Sequence, residues 1–134
     1  MTKPLFILLA VFLGIHGLIH LLGFVAYWPL KEIPELAYKT VFLNGRLDLD
    51  TDGTRLYSVF WLISAIGFVV AAFALFTGQP WAVPMLVVTT LLSVVITALD
   101  WNDAFRGTII DVVVLTVIFL SPQITRITTQ LRQV

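Results

Sequence analysis

The sequence predicts an all-α integral membrane protein, a four-helix bundle with one long loop between its first two helices. Three observations predict it. Hydrophobic residues make up 59% of the 134-residue chain and charged residues only 12%, and the mean hydropathy is +0.99, far from the mix of a water-soluble globule. Four stretches supply, or nearly supply, the roughly 20 apolar residues that a helix rising about 1.5 Å per residue needs to cross a bilayer core. Tryptophan, tyrosine and proline stand at the ends of those stretches, where interfacial anchors and helix stops belong.

The first span is expected from about Pro4 to Trp28, opened by Lys3 and closed by Tyr27, Trp28 and Pro29. It is too long for a removed signal peptide and lacks a small-residue cleavage site, so it reads as a retained span. A long loop, Pro29 to Gly53, follows. Within it Ile33 to Leu43 carries apolar residues at mixed spacing and is expected as a short interfacial helix over the mouth of the bundle. The second span is expected from Thr54 to Thr77, capped by Asp52 or Thr54 and ended by Gly78 and Pro80. A tight hairpin turn leads into the third, Trp81 to Trp101, with a tryptophan near each bilayer surface. The fourth, starting between Ala104 and Thr108 and ending near Ile124, is the least apolar: Asp111 sits near its start and Pro122 kinks its end. Residues 125–134, with Arg126, Ile127, Leu131 and Arg132, read as a helical tail at the interface. The whole chain is expected to form a single transmembrane domain.

An even number of spans puts both termini on one side. Lys3, Arg126 and Arg132 lie there, with none of the eight acids, and the purely basic face suits an anionic cytoplasmic leaflet. A strict Lys/Arg count runs the other way, since Lys31, Lys39, Arg46, Arg55 and Arg106 lie on the loop side. Cytoplasmic termini are the expectation.

Composition also excludes. Eight basic residues balance eight acidic ones, leaving no positive excess for a nucleic-acid partner. The absence of cysteine removes disulfides, thiolate nucleophiles, iron–sulfur clusters and cysteine-bound zinc.

Lipid tails are as apolar as leucine, so helices in lipid associate through close packing and polar contacts. Ser64, Gly67, Ala71, Ala74 and Gly78 form a small-residue stripe on the second span, and a neighbouring helix is expected against it. Ala10, Gly14, Gly17 and Gly23 form another on the first. Thr89, Ser93, Thr97 and Asp100 make a polar stripe on the third, whose hydroxyls are expected to bond back to their own helix.

His16 and His20 stand four apart and share a helix face. The spacing suits two imidazoles on one metal, but the glutamate of an HExxH pattern and a third histidine are missing, so no metal is assigned, and no cofactor. Depth suggests another grouping. His20 lies about 12 Å in from Trp28, and Asp111 about 9–10 Å in from Ala104, which predicts a His20–Asp111 hydrogen bond. His20, Asp111 and Asp100 are the candidate catalytic residues. His16, Tyr57, Trp61, Trp101 and Arg106 are the candidate ligand contacts, since intramembrane ionisable groups face the interior and pair. The alternative is that these groups only glue helices together, with Arg55 or Arg106 capping the acids. Asp48, Asp50 and Asp52 match the first half of a calcium loop, but its second half fails at Leu56 and Val59; a turn capping the second helix is expected instead.

Residues 16–24, HGLIHLLGF, with WLISAIG at 61–67 and WNDAFRGT at 101–108 followed by Asp111, resemble a group of small bacterial four-helix membrane proteins without an established mechanism. Some of these are labelled permease-like, and they are more loosely similar to DoxX-like proteins. The resemblance implies a four-helix bundle in a bacterial inner membrane and carries over no catalytic residue. Three functions are in view. The leading one is a loop-side His/Asp pocket for a lipid or other hydrophobic or amphipathic small molecule, with acid–base chemistry as its sharper form. The second is a non-catalytic subunit docked on a membrane protein partner. The third is a small oligomeric transporter.

Overall fold

The computed structural model describes residues 3–120 and contains four helices: α1 (Lys3–Tyr27), α2 (Asp50–Phe76), α3 (Ala82–Leu99) and α4 (Trp101–Leu120). Two short strands, β1 (Val41–Phe42) and β2 (Leu47–Asp48), lie between α1 and α2. Among the described residues three segments are long and apolar enough to cross a membrane: Ile7–Tyr27, Asp50–Phe76 and Ala82–Leu99. Helix α4 has comparable length, but Asp103, Arg106 and Asp111 interrupt its apolar run. The expected kink at Pro122 and the tail at 125–134 fall outside the described residues.

Consecutive helices pack side by side, α1 on α2, α2 on α3 and α3 on α4. Missing side chains set how close they come. A Cβ added at Gly17 would stand 2.8 Å from the Phe68 Cβ, and one at Gly23 would collide with the Trp61 ring, so α1 and α2 meet through both glycines. On the other side of α2, Gly67 accommodates Thr89 of α3, whose Oγ1 would lie 2.5 Å from an added Cβ. The stripe on α2 therefore has α3 against it, with Ser64, Gly67, Ala71 and Ala74 all buried. Gly78, at φ 69°, ends α2 in a Schellman arrangement: Gln79 N–H donates to Ala74 O at 2.8 Å and Gly78 N–H to Leu75 O at 3.2 Å.

Two boundaries and one element differ from the sequence reading. Helix α2 starts at Asp50, a turn before Thr54, and Leu49 occupies its cap position without a side-chain cap bond. Asp48 instead accepts from Asp50 N–H at 2.9 Å, and the Thr54 hydroxyl donates to Asp50 O at 2.6 Å. Trp101 opens α4 rather than closing α3, so Asp111 lies mid-helix. The expected helix at Ile33 to Leu43 is absent. Ile33 and Leu36 form an isolated bridge, and β1 pairs antiparallel with β2, Val41 with Asp48 and Phe42 with Leu47. Asn44-Gly45 is a strong hairpin signal, and Leu43, Asn44 and Gly45 all adopt the left-handed backbone that a reversal needs. The hairpin docks over the α3–α4 junction through Leu43 N–H to Leu99 O at 3.3 Å and Asn102 Nδ2 to Asn44 Oδ1 at 2.8 Å.

Buried apolar side chains form two clusters. One gathers Ala10, Leu13, Phe68, Ala71, Leu86 and Val114; the other, at the loop end, gathers Tyr27, Phe42, Tyr57, Trp61, Ile96 and Ala104. Along α1, α3 and α4 the residues between these clusters include buried His16, His20, Ser93 and Asp111.

Candidate functional site

Three helices build one polar centre. From α1, His16 Nε2 lies 2.9 Å from Asp111 Oδ1 of α4. From α3, Ser93 Oγ lies 2.5 Å from Asp111 Oδ2 and 2.6 Å from His20 Nε2. His20 Nδ1 donates to His16 O at 2.9 Å. All four side chains are buried, His16 at 4% exposure and Asp111 at 0%, so water competes for none of these bonds.

Proton bookkeeping constrains the centre. A carbonyl oxygen only accepts, so His20 Nδ1 carries a proton and its Nε2 faces Ser93. Ser93 has a single proton to give and two partners. In one arrangement His20 is doubly protonated and donates to Ser93, which donates to the Asp111 carboxylate. In the other Asp111 is protonated and donates to Ser93, which donates to His20 Nε2. In both, His16 Nε2–H donates to Asp111 Oδ1. Both hold the same number of protons and no net charge. A network holding that proton can pass it between His20 and Asp111 without burying an unpaired ion.

The expected direct His20–Asp111 bond is replaced by His16–Asp111, with His20 linked through Ser93. The reason is the earlier start of α4. Ten residues inside a helix that opens at Trp101, Asp111 lies about 15 Å deep, between His20 at about 12 Å and His16 at about 18 Å. Aromatic rings wall the centre: the His16 and His20 rings lie 4.8 and 5.2 Å from Phe68, and His20 lies 5.3 Å from Trp61. Trp61 Nε1 and Ser64 Oγ, one turn apart on α2, are buried without a hydrogen-bond partner among the described residues. Of the hydroxyls expected to bond back, Thr97 does so, to Ser93 O at 2.7 Å, while Ser93 reaches across to α4.

Asp100 belongs to a second cluster at the α3–α4 junction. It accepts from the Tyr27 hydroxyl and pairs with Lys39, which also reaches Asp103 at 2.7 Å. Burial holds the Asp100 carboxyl above the ordinary carboxylate range, with Lys39 and Tyr27 pulling the other way. Burial alone would lower the Lys39 ammonium, but the two carboxylates more than reverse this and leave it above its usual range. The cation that caps the acids is thus Lys39. Arg55 lies over the Trp28 ring and Arg106 over the Phe105 ring, each at 5.7 Å.

The candidate ligand contacts divide. Tyr57 and Trp61 are buried between the two polar clusters, with Tyr57 donating to Ile96 O at 2.5 Å. Trp101 and Arg106 are exposed; Trp101 lines a cleft of about 370 Å³ under the hairpin, together with Lys39, Leu43, Arg46 and Asp100. Among Asp48, Asp50 and Asp52, the first two spend an oxygen on the turn, Asp50 Oδ1 accepting from Thr51 N–H at 3.0 Å. Ser93 as a bridge, Lys39 as counter-ion and Tyr27 as hydroxyl donor are the residues that sequence reasoning missed. Only Ser93, at the middle of a polar stripe, carried a sequence signal.

Comparisons with protein-family models, curated proteins and solved structures give no match.

Proposed function

We propose that the chain is a multi-pass, four-helix bundle of a bacterial inner membrane with cytoplasmic termini. In this reading it binds a lipid or other hydrophobic or amphipathic small molecule and performs acid–base chemistry on it at the His16–Asp111–Ser93–His20 centre. The observation that carries this reading is the closed network of four buried polar side chains, able to hold its proton at either end. Helix glue needs a pair; a shared proton between a carboxylate and an imidazole is the equipment of a general acid and base.

The membrane part is supported by an inverted distribution: Ile15, Val88 and Val113 are 55%, 67% and 55% exposed while Asp111 is fully buried. A ligand is supported by Trp61 Nε1 and Ser64 Oγ, since an unpaired buried donor costs about 1–3 kcal/mol and an oxygen of a bound molecule would satisfy it. The reaction class is an isomerisation or cyclisation. The base removes a proton from a substrate carbon, the acid returns one to another atom, and no oxidant or co-reactant is consumed.

Deuterium reports this without knowledge of the substrate. Detergent-solubilised protein is mixed with a total lipid extract of the host in D2O, and the lipids are read by mass spectrometry. A species that gains non-exchangeable deuterium with the native chain, but not with Asp111→Asn or His20→Gln, is the expected result. No labelled species, or equal labelling by the variants, overturns the reading.

A further inference from the structure

We propose that His16, His20 and Asp111 form a three-ligand site for a divalent first-row transition ion of the zinc class. One nitrogen of each imidazole and one oxygen of the carboxylate lie within 4.8 Å of one another, and all three residues are buried. Ligands at about 2.1 Å from a tetrahedral ion stand about 3.4 Å apart, so side-chain shifts of about an ångström suffice. The two rings meet edge to face at 4.7 Å, from positions one turn apart on a single helix.

The surroundings are those of a metal site, and this is an observation independent of ligand spacing. A metal-binding histidine characteristically donates its second ring nitrogen to a carbonyl, which fixes the tautomer and aims the other lone pair at the ion. His20 does so, through Nδ1 to His16 O at 2.9 Å. A binding carboxylate is characteristically held by a further hydrogen bond, and Ser93 holds Asp111 Oδ2 at 2.5 Å, leaving Oδ1 toward His16. Oxygen and imidazole nitrogen without thiolate suit zinc and its first-row neighbours rather than copper(I). Three protein ligands leave the fourth position of a tetrahedral ion open, the pattern of catalytic rather than structural zinc. Two neutral imidazoles and one carboxylate leave one positive charge uncompensated, so the open position favours an anionic oxygen ligand.

With the ion bound, His20 and Asp111 are ligands and the acid–base role passes to an oxygen ligand in the open fourth position, so this inference changes which group moves the proton and rests on the proposed reading only for its premise that the centre is more than helix glue. Metal binding is read without substrate, however, so the two readings fail separately. The tag-free full-length protein in mild detergent is stripped with chelator and titrated with cobalt(II), then with zinc. Expected are one ion per chain, the intense visible absorption of a tetrahedral cobalt site and its loss on adding zinc. His20→Gln and Asp111→Asn should abolish the band while Lys39→Met, in the other polar cluster, retains it. Ser93→Ala should weaken zinc binding about 10–100-fold, the usual cost of losing an outer hydrogen bond. No stoichiometric binding, or binding undiminished in the ligand variants, overturns the proposal. If the ligand variants lose their helical circular dichroism, the native stoichiometry and the Ser93→Ala shift decide it.

Discussion

Asp111 accepts from both His16 and Ser93 with no exposed surface, and its removal leaves two polar partners stranded. Asp111→Ala is therefore expected to cost about 2–4 kcal/mol, read as the shift in a detergent unfolding curve. A cost under about 1 kcal/mol would mean that the network does not hold the helices. Asp100 gives a signed pH dependence. Burial raises its folded pKa above the ordinary aspartate value, so the stability it contributes is full below that ordinary value and is lost as pH rises through the folded one. The melting temperature of the native chain should rise relative to Asp100→Asn as pH is lowered from about 7 to about 4. A relative fall would show the Lys39 ion pair outweighing burial. His16, His20 and Asp111 were legible in the sequence, because ionisable residues in apolar runs are conspicuous and a four-residue spacing fixes a face. Their pairing was not, because it depends on helix register: a start of α4 displaced by three to seven residues moves Asp111 by one to two turns. Lys39 was hidden for a different reason, since a loop cation carries no periodicity to say which acid it will reach.

Along the helices, two glycines make opposite predictions. Gly67→Val drives side-chain atoms into Thr89 and should cost about 1–3 kcal/mol by overpacking. Gly14 has nothing within 4 Å of an added Cβ, so Gly14→Ala should stabilise by about 0.5–1 kcal/mol through helix propensity alone. Thermal unfolding of the two variants in one detergent checks both; equal effects would contradict the packing of α2 on α3. The helices themselves were legible because length, apolar content and aromatic ends are local signals. The hairpin at 41–48 has no counterpart in the sequence reading: apolar spacing at 33–43 suggests an interfacial helix, whereas Asn44-Gly45 is a two-residue signal whose left-handed backbone decides the local structure.

For the whole molecule, apolar residues face outward along the helices while histidine, serine and aspartate are sequestered within, the reverse of a water-soluble protein. The proposed four-span arrangement requires both ends of the chain on one side, so reporters fused to either terminus should give the same compartment signal. Opposite signals would leave α4, whose apolar run is interrupted by Asp103, Arg106 and Asp111, outside the membrane. Whether the buried network serves a bound molecule is read by native mass spectrometry of the chain extracted from its own host in mild detergent. One retained hydrophobic small molecule per native chain, absent from a folded Asp111→Asn variant, is the expected result. A chain that flies bare, or a molecule held equally well by that variant, would contradict it and return the four side chains to the role of helix glue.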